Sequence, residues 1–238
     1  HAPLEDLVVE GGQVVKALIG GTVDAAVEPT YVVNATGAWA GTVASMADVD
    51  LGMAPSRGVM ISVEYEGLGP ALNRCRDPDD GDIVVPHDDE VVLGTTSVPV
   101  SDPDDYEEAD WEVETSVREC ATMLPPVADA PTVRTWWGVR PLYAPDEQAS
   151  NRRGISRGFT TVDHAADGVG NFASIVGGKL TTYRQMAEAV SDHVCGELGV
   201  DAACETATRP LPGADDPDRL DEFVAAYDGQ GPTDADVS

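Results

Sequence analysis

Lysine is nearly absent from this chain of 238 residues, in which Lys16 and Lys179 stand beside twelve arginines. Positive charge is scarce as a whole, because 14 lysines and arginines face 43 aspartates and glutamates, giving a formal net charge of −29. This balance argues against nucleic-acid binding, since contacts to a phosphate backbone need clustered positive charge. The acidic residues are spread along the chain, which is typical of proteins kept soluble at high salt, so we expect a halophilic source.

Paired cysteines and long apolar runs are also lacking. The four cysteines are scattered without a Cys-x-x-Cys pair, which favours reduced thiols in a cytoplasmic protein over a disulfide framework or a metal site. No stretch of about 18 apolar residues predicts a membrane span, and no signal peptide is visible. Because the chain begins at His1 and opens on a strand-like pattern, we expect it to be a piece of a longer protein.

The apolar content, 42% of residues, is sufficient for a folded protein with a real core. Apolar runs with small-residue turns near both ends predict layered strands and helices, whereas the middle alternates as in a half-buried antiparallel sheet. We therefore expect a mixed α/β fold whose layered domain is interrupted by an inserted antiparallel sheet. The predicted segments are 1–54 and 141–200 for the layered domain, 55–140 for the inserted sheet, and 201–238 for a linker, a short helix and a disordered tail.

Periodicity predicts the individual elements within these segments. Strands are expected at 7–19 (two, around a Gly-Gly turn), 22–26, 31 onward, 59–65, 83–87, 90–96, 133–139 and 172–176. A helix is expected at 111–124, with Val113, Val117, Cys120 and Leu124 on one face. A second helix is expected from Leu180 to near Gly199, with Leu180, Tyr183, Ala187, Val190 and Val194 on one side.

The stretch 177–184 places a Gly-Gly step and one of the two lysines where a predicted strand gives way to a helix. Such a junction leaves backbone N–H groups without helical partners, and glycine lets a ligand approach the main chain closely. Lysine adds a compact cation, so the stretch indicates a site for electron-rich ligand atoms, and we expect Lys179 near Arg140 in a cleft. The alternative is an ordinary glycine-rich turn with Lys179 in solvent.

Two further side chains are candidates for chemistry. Arg140 follows two tryptophans at a strand end, where its planar fork suits a phosphate or carboxylate, although it could equally be a surface arginine packed on a tryptophan. His87 is a candidate base at a hairpin, and a solvated turn histidine is an equally good interpretation. We expect His164 and His193 at the surface.

Residues 168–173 match the dinucleotide-binding pattern G-x-G-x-x-A. That motif needs a strand before it and a helix after it, whereas here it precedes a predicted strand. We interpret it as a hairpin turn. No other stretch fits, so if a dinucleotide binds, its main pyrophosphate loop lies upstream of His1.

Eight short motifs occur in a fixed order along roughly residues 8–213. They are VNATGAWA (33–40), NRCR (73–76), DIVVP (82–86), GTTS (94–97), GVRPL (138–142), ISRG (155–158), GGKLTTYR (177–184) and LPG (211–213). Together they resemble the flavin-dependent sn-glycerol-3-phosphate dehydrogenases, and most closely the catalytic subunits of the anaerobic, quinone-linked type.

The resemblance implies an FAD-binding domain of the D-amino-acid-oxidase type with an inserted antiparallel substrate domain. It implies that the cofactor-binding residues are Ala35, Thr36, Gly37, Trp39, Gly177, Gly178, Leu180 and Thr181. Arg140 would bind the substrate anion, and Lys179 would stabilise charge on the substrate oxygen or the reduced flavin. Because the family's N-terminal Gly-rich FAD loop is absent, we expect this piece alone to hold FAD weakly and to be inactive.

The implied reaction oxidises sn-glycerol 3-phosphate to dihydroxyacetone phosphate by hydride transfer to FAD. Electrons would leave to a quinone through partner subunits of a complex on the inner face of the cell membrane. A homodimer is a further possibility for the oligomeric state. One alternative is another FAD-dependent amine or 2-hydroxy-acid oxidase or dehydrogenase of the same fold. Another is a non-catalytic, acidic assembly subunit that kept the fold.

Overall fold

The computed structural model describes residues 1–145 and 158–210, together with 216, 218, 219 and 222. The chain divides into two compact units, His1–Met186 and Ala187–Ser238. The motifs at 155–157 and 211–213, most of the predicted C-terminal helix and the tail lie outside the described residues. The expected segment boundaries near residues 54, 140 and 200 stay predictions.

An antiparallel hairpin with a short third strand opens the chain, in the order β1-β2-β3. Its strands are β1 (Leu4–Glu10), β2 (Gln13–Ile19) and β3 (Ala25–Val27). Gly11 and Gly12 form the turn with φ of +60° and +77°, a conformation that glycine adopts without steric cost. The prediction of two strands around a Gly-Gly turn is confirmed.

A second three-stranded sheet joins residues far apart in the sequence. It consists of β4 (Val32–Asn34), β11 (Phe159–Asp163) and β12 (Phe172–Gly177), in the order β11-β12-β4. The pairing of β12 with β4 is parallel, and that of β11 with β12 is antiparallel. A 3-10 turn at Gly37–Trp39 and helix α1 (Ala40–Ser45) follow β4, and Ala40, Ala44 and Phe172 lie in the core beside them. The 168–173 motif lies between β11 and β12, as expected for a hairpin connection.

The inserted region forms a six-stranded antiparallel sheet, in the order β10-β5-β8-β7-β6, with β9 paired to β5. Its strands are β5 (Ser56–Glu64), β6 (Leu72–Asn73), β7 (Ile83–His87), β8 (Glu90–Gly94), β9 (Val98–Pro99) and β10 (Thr132–Arg140). Val59, Ile61 and Val63 of β5 lie in a second core. Helix α2 (Asp110–Ala121) lies against β5 and β8.

The predicted apolar face of α2 packs on the core, but the most buried face of the helix is only partly apolar. Glu112, Ser116 and Cys120 are fully buried, whereas Val113 and Val117 are half-buried at the margin of the core. A polar face is tolerated because Glu112 meets a buried arginine from the sheet, a partner that helical periodicity cannot reveal.

Helix α3 (Tyr183–Glu197) follows a 3-10 turn at Leu180–Thr182. The predicted apolar side is wrong at its beginning, because Leu180 and Tyr183 are 88% and 69% exposed. Val190 is buried, as expected. Among the described helices, none has the length and apolarity that a membrane crossing requires.

Candidate functional site

A cleft of about 240 Å³ lies where several strands of the six-stranded sheet end. Its polar lining includes Asn73, Arg74, Arg76, Thr95, Ser97 and Arg140, together with the carboxylates of Asp79 and Asp82. In a chain with a net charge of −29, a small cleft where three guanidinium groups outnumber two carboxylates is a place where an anion can bind.

Arg140 is the last residue of β10, and its guanidinium is held on the cleft wall by two neutral oxygens. Nη2 donates to Thr95 Oγ1 at 2.8 Å, and Nη1 donates to the Arg57 carbonyl at 3.3 Å. Gly58 makes this approach possible, because a Cβ there would collide with Arg140 and Thr95. The tryptophan stack that we considered for Arg140 is made by Arg134, which lies 4.6 Å from the ring centroid of Trp136.

A buried ion pair lies behind this wall. Glu112 Oε2 accepts from Arg57 Nε at 3.0 Å and lies 2.9 Å from Arg57 Nη2, and both side chains are almost fully buried. Glu112 Oε1 accepts from Thr96 Oγ1 at 2.6 Å, and that hydroxyl accepts from the Val59 amide at 3.1 Å. The pair therefore fixes the turn after β8, whose Thr95 holds Arg140. Sequence patterns gave no signal for it, because the two charges are 55 positions apart.

Arg74 and Arg76 follow β6 and occupy another part of the same lining. Arg74 Nη1 bonds Glu119 Oε2 at 2.7 Å, while Arg76 Nη2 lies 2.7 Å from Asp82 Oδ1 and 3.7 Å from Glu119. The hydrogen bond from Arg74 lowers the pKa of Glu119, and the bond to Asp82 raises the pKa of Arg76. Both shifts favour the charged forms of Glu119 and Arg76.

The turn after β4 is fixed by a buried amide. Asn34 Nδ2 donates to the Ala40 carbonyl at 2.8 Å and to Ser174 Oγ at 3.1 Å, and Asn34 Oδ1 accepts from Thr36 Oγ1 at 2.7 Å. Ala35 and Thr36 are exposed above this support, and Gly37 has a φ of +64°. The structure therefore presents the predicted cofactor turn on a rigid base.

Trp39 completes that turn. Its indole N–H donates to Asp104 Oδ2 at 2.8 Å, while the side chain stays 43% exposed. Trp39 is thus held by the inserted region with much of its surface accessible.

The expectation that His164 lies at the surface is wrong, because its side chain is fully buried. His164 Nε2 lies 2.8 Å from Ser174 Oγ, and Nδ1 lies 3.0 Å from Asp167 Oδ2. A carboxylate only accepts, so Nδ1 donates to Asp167, and in the neutral imidazole Nε2 accepts from Ser174. Ser174 in turn contacts Asn34, so His164 supports the turn after β4 from below. A histidine in a short polar turn carries no periodic signal of this burial.

The Gly177–Gly178 step ends β12 with φ of +75° and +78°, where a Cβ on Gly177 would collide with the Gly158 carbonyl. The 3-10 turn begins after Lys179, whose N–H donates to Thr182 Oγ1 at 3.0 Å. The amides of Leu180 and Thr181 have no acceptor within the described part of the chain. They are therefore available to a ligand oxygen, as the glycine-lysine motif predicts.

Two predicted catalytic residues are not brought to the arginine cleft. His87 ends β7 at the opposite end from Ile83, which lines the cleft, and its side chain is 71% exposed with Asp88 as its neighbour at 3.6 Å. Lys179 is exposed and is not part of the described lining of the cleft that contains Arg140, so the expectation that the two share this cleft is wrong, while its role beside a flavin stays a prediction.

All four cysteines are free thiols, and Cys75 and Cys204 are exposed. Burial raises the pKa of the Cys120 thiol to about 11. Cys120 lies 3.4 Å from the carbonyls of Gly81 and Ile83, so it behaves as a core residue of α2.

A protein-family profile described as DAO, FAD dependent oxidoreductase, matches residues 1–184. The chain belongs to this family. The expected fold, a layered domain interrupted by an antiparallel sheet, is confirmed by the profile and by the strand order.

Curated relatives of this chain carry the name expected from the motifs. The chain is 44% identical over 242 residues to the A1 subunit of the anaerobic glycerol-3-phosphate dehydrogenase of Haloferax volcanii, covering 94% of this chain and 41% of that protein. It is 40% identical over 199 residues to the corresponding subunit of the Escherichia coli K12 enzyme, covering 81% and 36%. The predicted resemblance is confirmed, and the chain spans about two fifths of the length of these relatives.

Solved structures establish the fold. The glycerol-3-phosphate dehydrogenase of Bacillus halodurans complexed with FAD matches this structure with a TM-score of 0.71 and 24% identity, covering 94% of this chain and 45% of that chain. Glycine oxidase from Bacillus cereus matches with a TM-score of 0.59 and 17% identity, covering 83% and 49%. At these identities the likeness concerns architecture alone.

Proposed function

We propose that this chain is the substrate-binding part of an enzyme that oxidises sn-glycerol 3-phosphate to dihydroxyacetone phosphate. The observation that carries the proposal is the cleft with three arginines, in a chain where cations are scarce. The names of the curated relatives support the substrate. The oxidised carbon loses a hydride, its hydroxyl loses a proton to a base, and the product is a ketone.

The residues at the end of β12 fit a flavin. The unpartnered amides of Leu180 and Thr181 suit the electron-rich carbonyl edge of its ring, and the Gly177–Gly178 step removes side chains from the approach. When bound, FAD supplies the acceptor for the hydride. The amide dipoles stabilise negative charge beside them, and Lys179 adds a cation next to the same turn.

Arg140 has the role of an anion-binding residue. Thr95 and the Arg57 carbonyl fix its guanidinium by two hydrogen bonds, which reduces the entropy lost when an anion binds. His87 receives no role, because its end of β7 is turned away from the cleft.

Electrons leave to a quinone through partner subunits, and the enzyme is peripheral on the inner face of the cell membrane. The word subunit in the relatives' names supports a multi-subunit enzyme. The excess of 43 acidic over 14 basic residues is an adaptation to high salt, which agrees with a relative from Haloferax volcanii.

The test uses the FAD-loaded holoenzyme under anaerobic conditions. Glycerol 3-phosphate should bleach the flavin absorbance, and reoxidation by a quinone analogue should restore it without hydrogen peroxide. Peroxide formation would favour an oxidase of the same fold. A native protein with no flavin chromophore would favour a non-catalytic assembly subunit.

Replacing Arg140 tests the cleft. Arg140→Lys removes the planar fork, so we expect KM for glycerol 3-phosphate to rise about tenfold with a smaller change in kcat. Arg134→Lys is the control, because Arg134 stacks on Trp136 and does not line the cleft. Unchanged KM and kcat in Arg140→Lys would remove Arg140 from substrate binding.

A further inference from the structure

We propose that Arg74 and Arg76 bind the phosphate group of the substrate and make the cleft selective for a dianion; this rests on the proposed function. The proposed function counts both residues only as positive charge in the cleft and assigns an individual binding role to Arg140 alone. Both line the cleft that contains Arg140, and they follow β6, at the opposite edge of the sheet from β10.

Backbone hydrogen bonds connect the two parts of the lining. Thr95, which holds Arg140, accepts from the Gly81 amide at 3.3 Å, and Asp82 accepts from the Arg74 amide at 3.1 Å. Two strand spacings therefore separate Thr95 from Arg74, about 10 Å of backbone distance. Arginine side chains reaching inward from both sides can contact one small phosphate ester in a cleft of about 240 Å³.

Arg74 keeps hydrogen-bond donors for a ligand. Only its Nη1 bonds a carboxylate, that of Glu119, while Nε and Nη2 have no acceptor within the described part of the chain. Glu119 thus orients the guanidinium from one side and leaves the remaining donors for a bidentate contact.

Arg76 is bonded more fully and gives mainly charge. Its Nε and Nη2 bond Asp82 and the Asp80 carbonyl, so it is an oriented cation that follows Arg74 in the lining, and its Nη1 has no acceptor among the residues that the structure describes. At pH 7 a phosphate monoester carries a charge of about −1.5 to −2. Three guanidinium groups therefore attract it more strongly than they attract a single carboxylate, whose charge is smaller.

The experiment measures inorganic phosphate binding to the holoenzyme by calorimetry, and the KM for glycerol 3-phosphate in parallel. Arg74→Gln should weaken phosphate binding about tenfold, the size of one lost charged hydrogen bond. Arg118→Gln is the matched control, because Arg118 lies 3.4 Å from the same Glu119, is 64% exposed and does not line the cleft. It removes the same charge and should change phosphate affinity less than about twofold, as expected of an exposed pair.

Glu119→Gln is expected to change phosphate affinity in the opposite direction to Arg74→Gln. Without the carboxylate, Arg74 and Arg76 have one competitor fewer, so phosphate should bind more tightly than in the wild type. Arg74→Lys keeps the charge without the fork, and an intermediate affinity is expected if Arg74→Gln does not fold.

The outcomes separate the two proposals. Equal phosphate affinity in Arg74→Gln and Arg118→Gln, or no phosphate binding by the wild type, would overturn the role of Arg74 and Arg76. A wild type that binds phosphate through Arg74 but does not oxidise glycerol 3-phosphate would contradict the proposed function and leave the anion site standing.

Discussion

The arginine cleft and the proposed cofactor turns after β4 and β12 are built in different ways. In the cleft, the proposed ligand contacts are side chains, and other side chains fix them, as Glu112 and Thr96 do behind Arg140. At the end of β12, the proposed ligand contacts are main-chain amides, and the neighbouring side chains, such as Leu180, are exposed. The cleft therefore depends on particular residues, whereas the cofactor turns depend on backbone conformation.

The largest effect is expected from the buried ion pair. Glu112→Ala leaves the Arg57 charge buried and unpaired, so we expect a loss of about 3 to 5 kcal/mol in the free energy of unfolding. Urea denaturation measures it.

The control is Ser116→Ala, one helical turn further on the same buried face of α2. Its hydroxyl has no partner among the described residues, so its removal should leave stability equal or slightly higher. Equal losses of unfolding free energy in the two variants would mean that the ion pair of Glu112 with Arg57 does not stabilise the region behind the cleft.

A substitution of Lys179 tests the turn after β12. Lys179→Met in the holoenzyme should lower kcat/KM by about 10²-fold, the size of one lost charge-stabilising group. Lys16→Met, a change at the only other lysine, is the control for net charge. Near-wild-type kinetics would remove Lys179 from the mechanism and leave the turn to its amides.

Gly58 and Gly138 form a matched pair, because they face each other across β5 and β10. A Cβ at Gly58 would collide with Arg140 and Thr95, so Gly58→Ala should cost about 1 to 3 kcal/mol of stability and weaken phosphate binding. A Cβ at Gly138 meets nothing within 4 Å, so Gly138→Ala should be close to neutral. Thermal unfolding and phosphate titration compare the two, and similar results would contradict the close packing around Arg140.

The smallest effect concerns pH. Arg74 lowers the pKa of Glu119 below its ordinary value of 4.5, so the pair's stabilisation is fully present above pH 4.5 and is lost as pH falls through the lowered folded-state pKa. Both side chains are about one quarter exposed, so the loss should be at most about 1 kcal/mol. Unfolding curves of wild type and Glu119→Gln should converge at acid pH, and a constant difference would contradict the assignment.

Much of the fold is predictable because it follows from local periodicity. The hairpins and the return of the layered pattern at Phe172 are examples, since alternation and turn residues are properties of short segments. The turn at Gly177–Gly178 was also predictable from sequence, because a backbone with positive φ favours glycine.

The interior of the site was not predictable, because its partners are distant in sequence. Arg57 and Glu112 look like surface charges when each is taken alone, and His164 looks like a turn residue. Leu180 and Tyr183 fit an apolar helix face by spacing, yet they are exposed, since periodicity says which residues share a side but not what covers it.

The hydrogen bonds from Ser174 through His164 to Asp167 reproduce the order of groups by which many hydrolases activate a serine. Here the hydroxyl has no access to solvent, and one of its lone pairs is taken by the Asn34 amide. Organophosphorus reagents should therefore leave Ser174 unlabelled. Because it is buried, an arrangement that attacks esters in other proteins has a structural role here and supports the turn after β4.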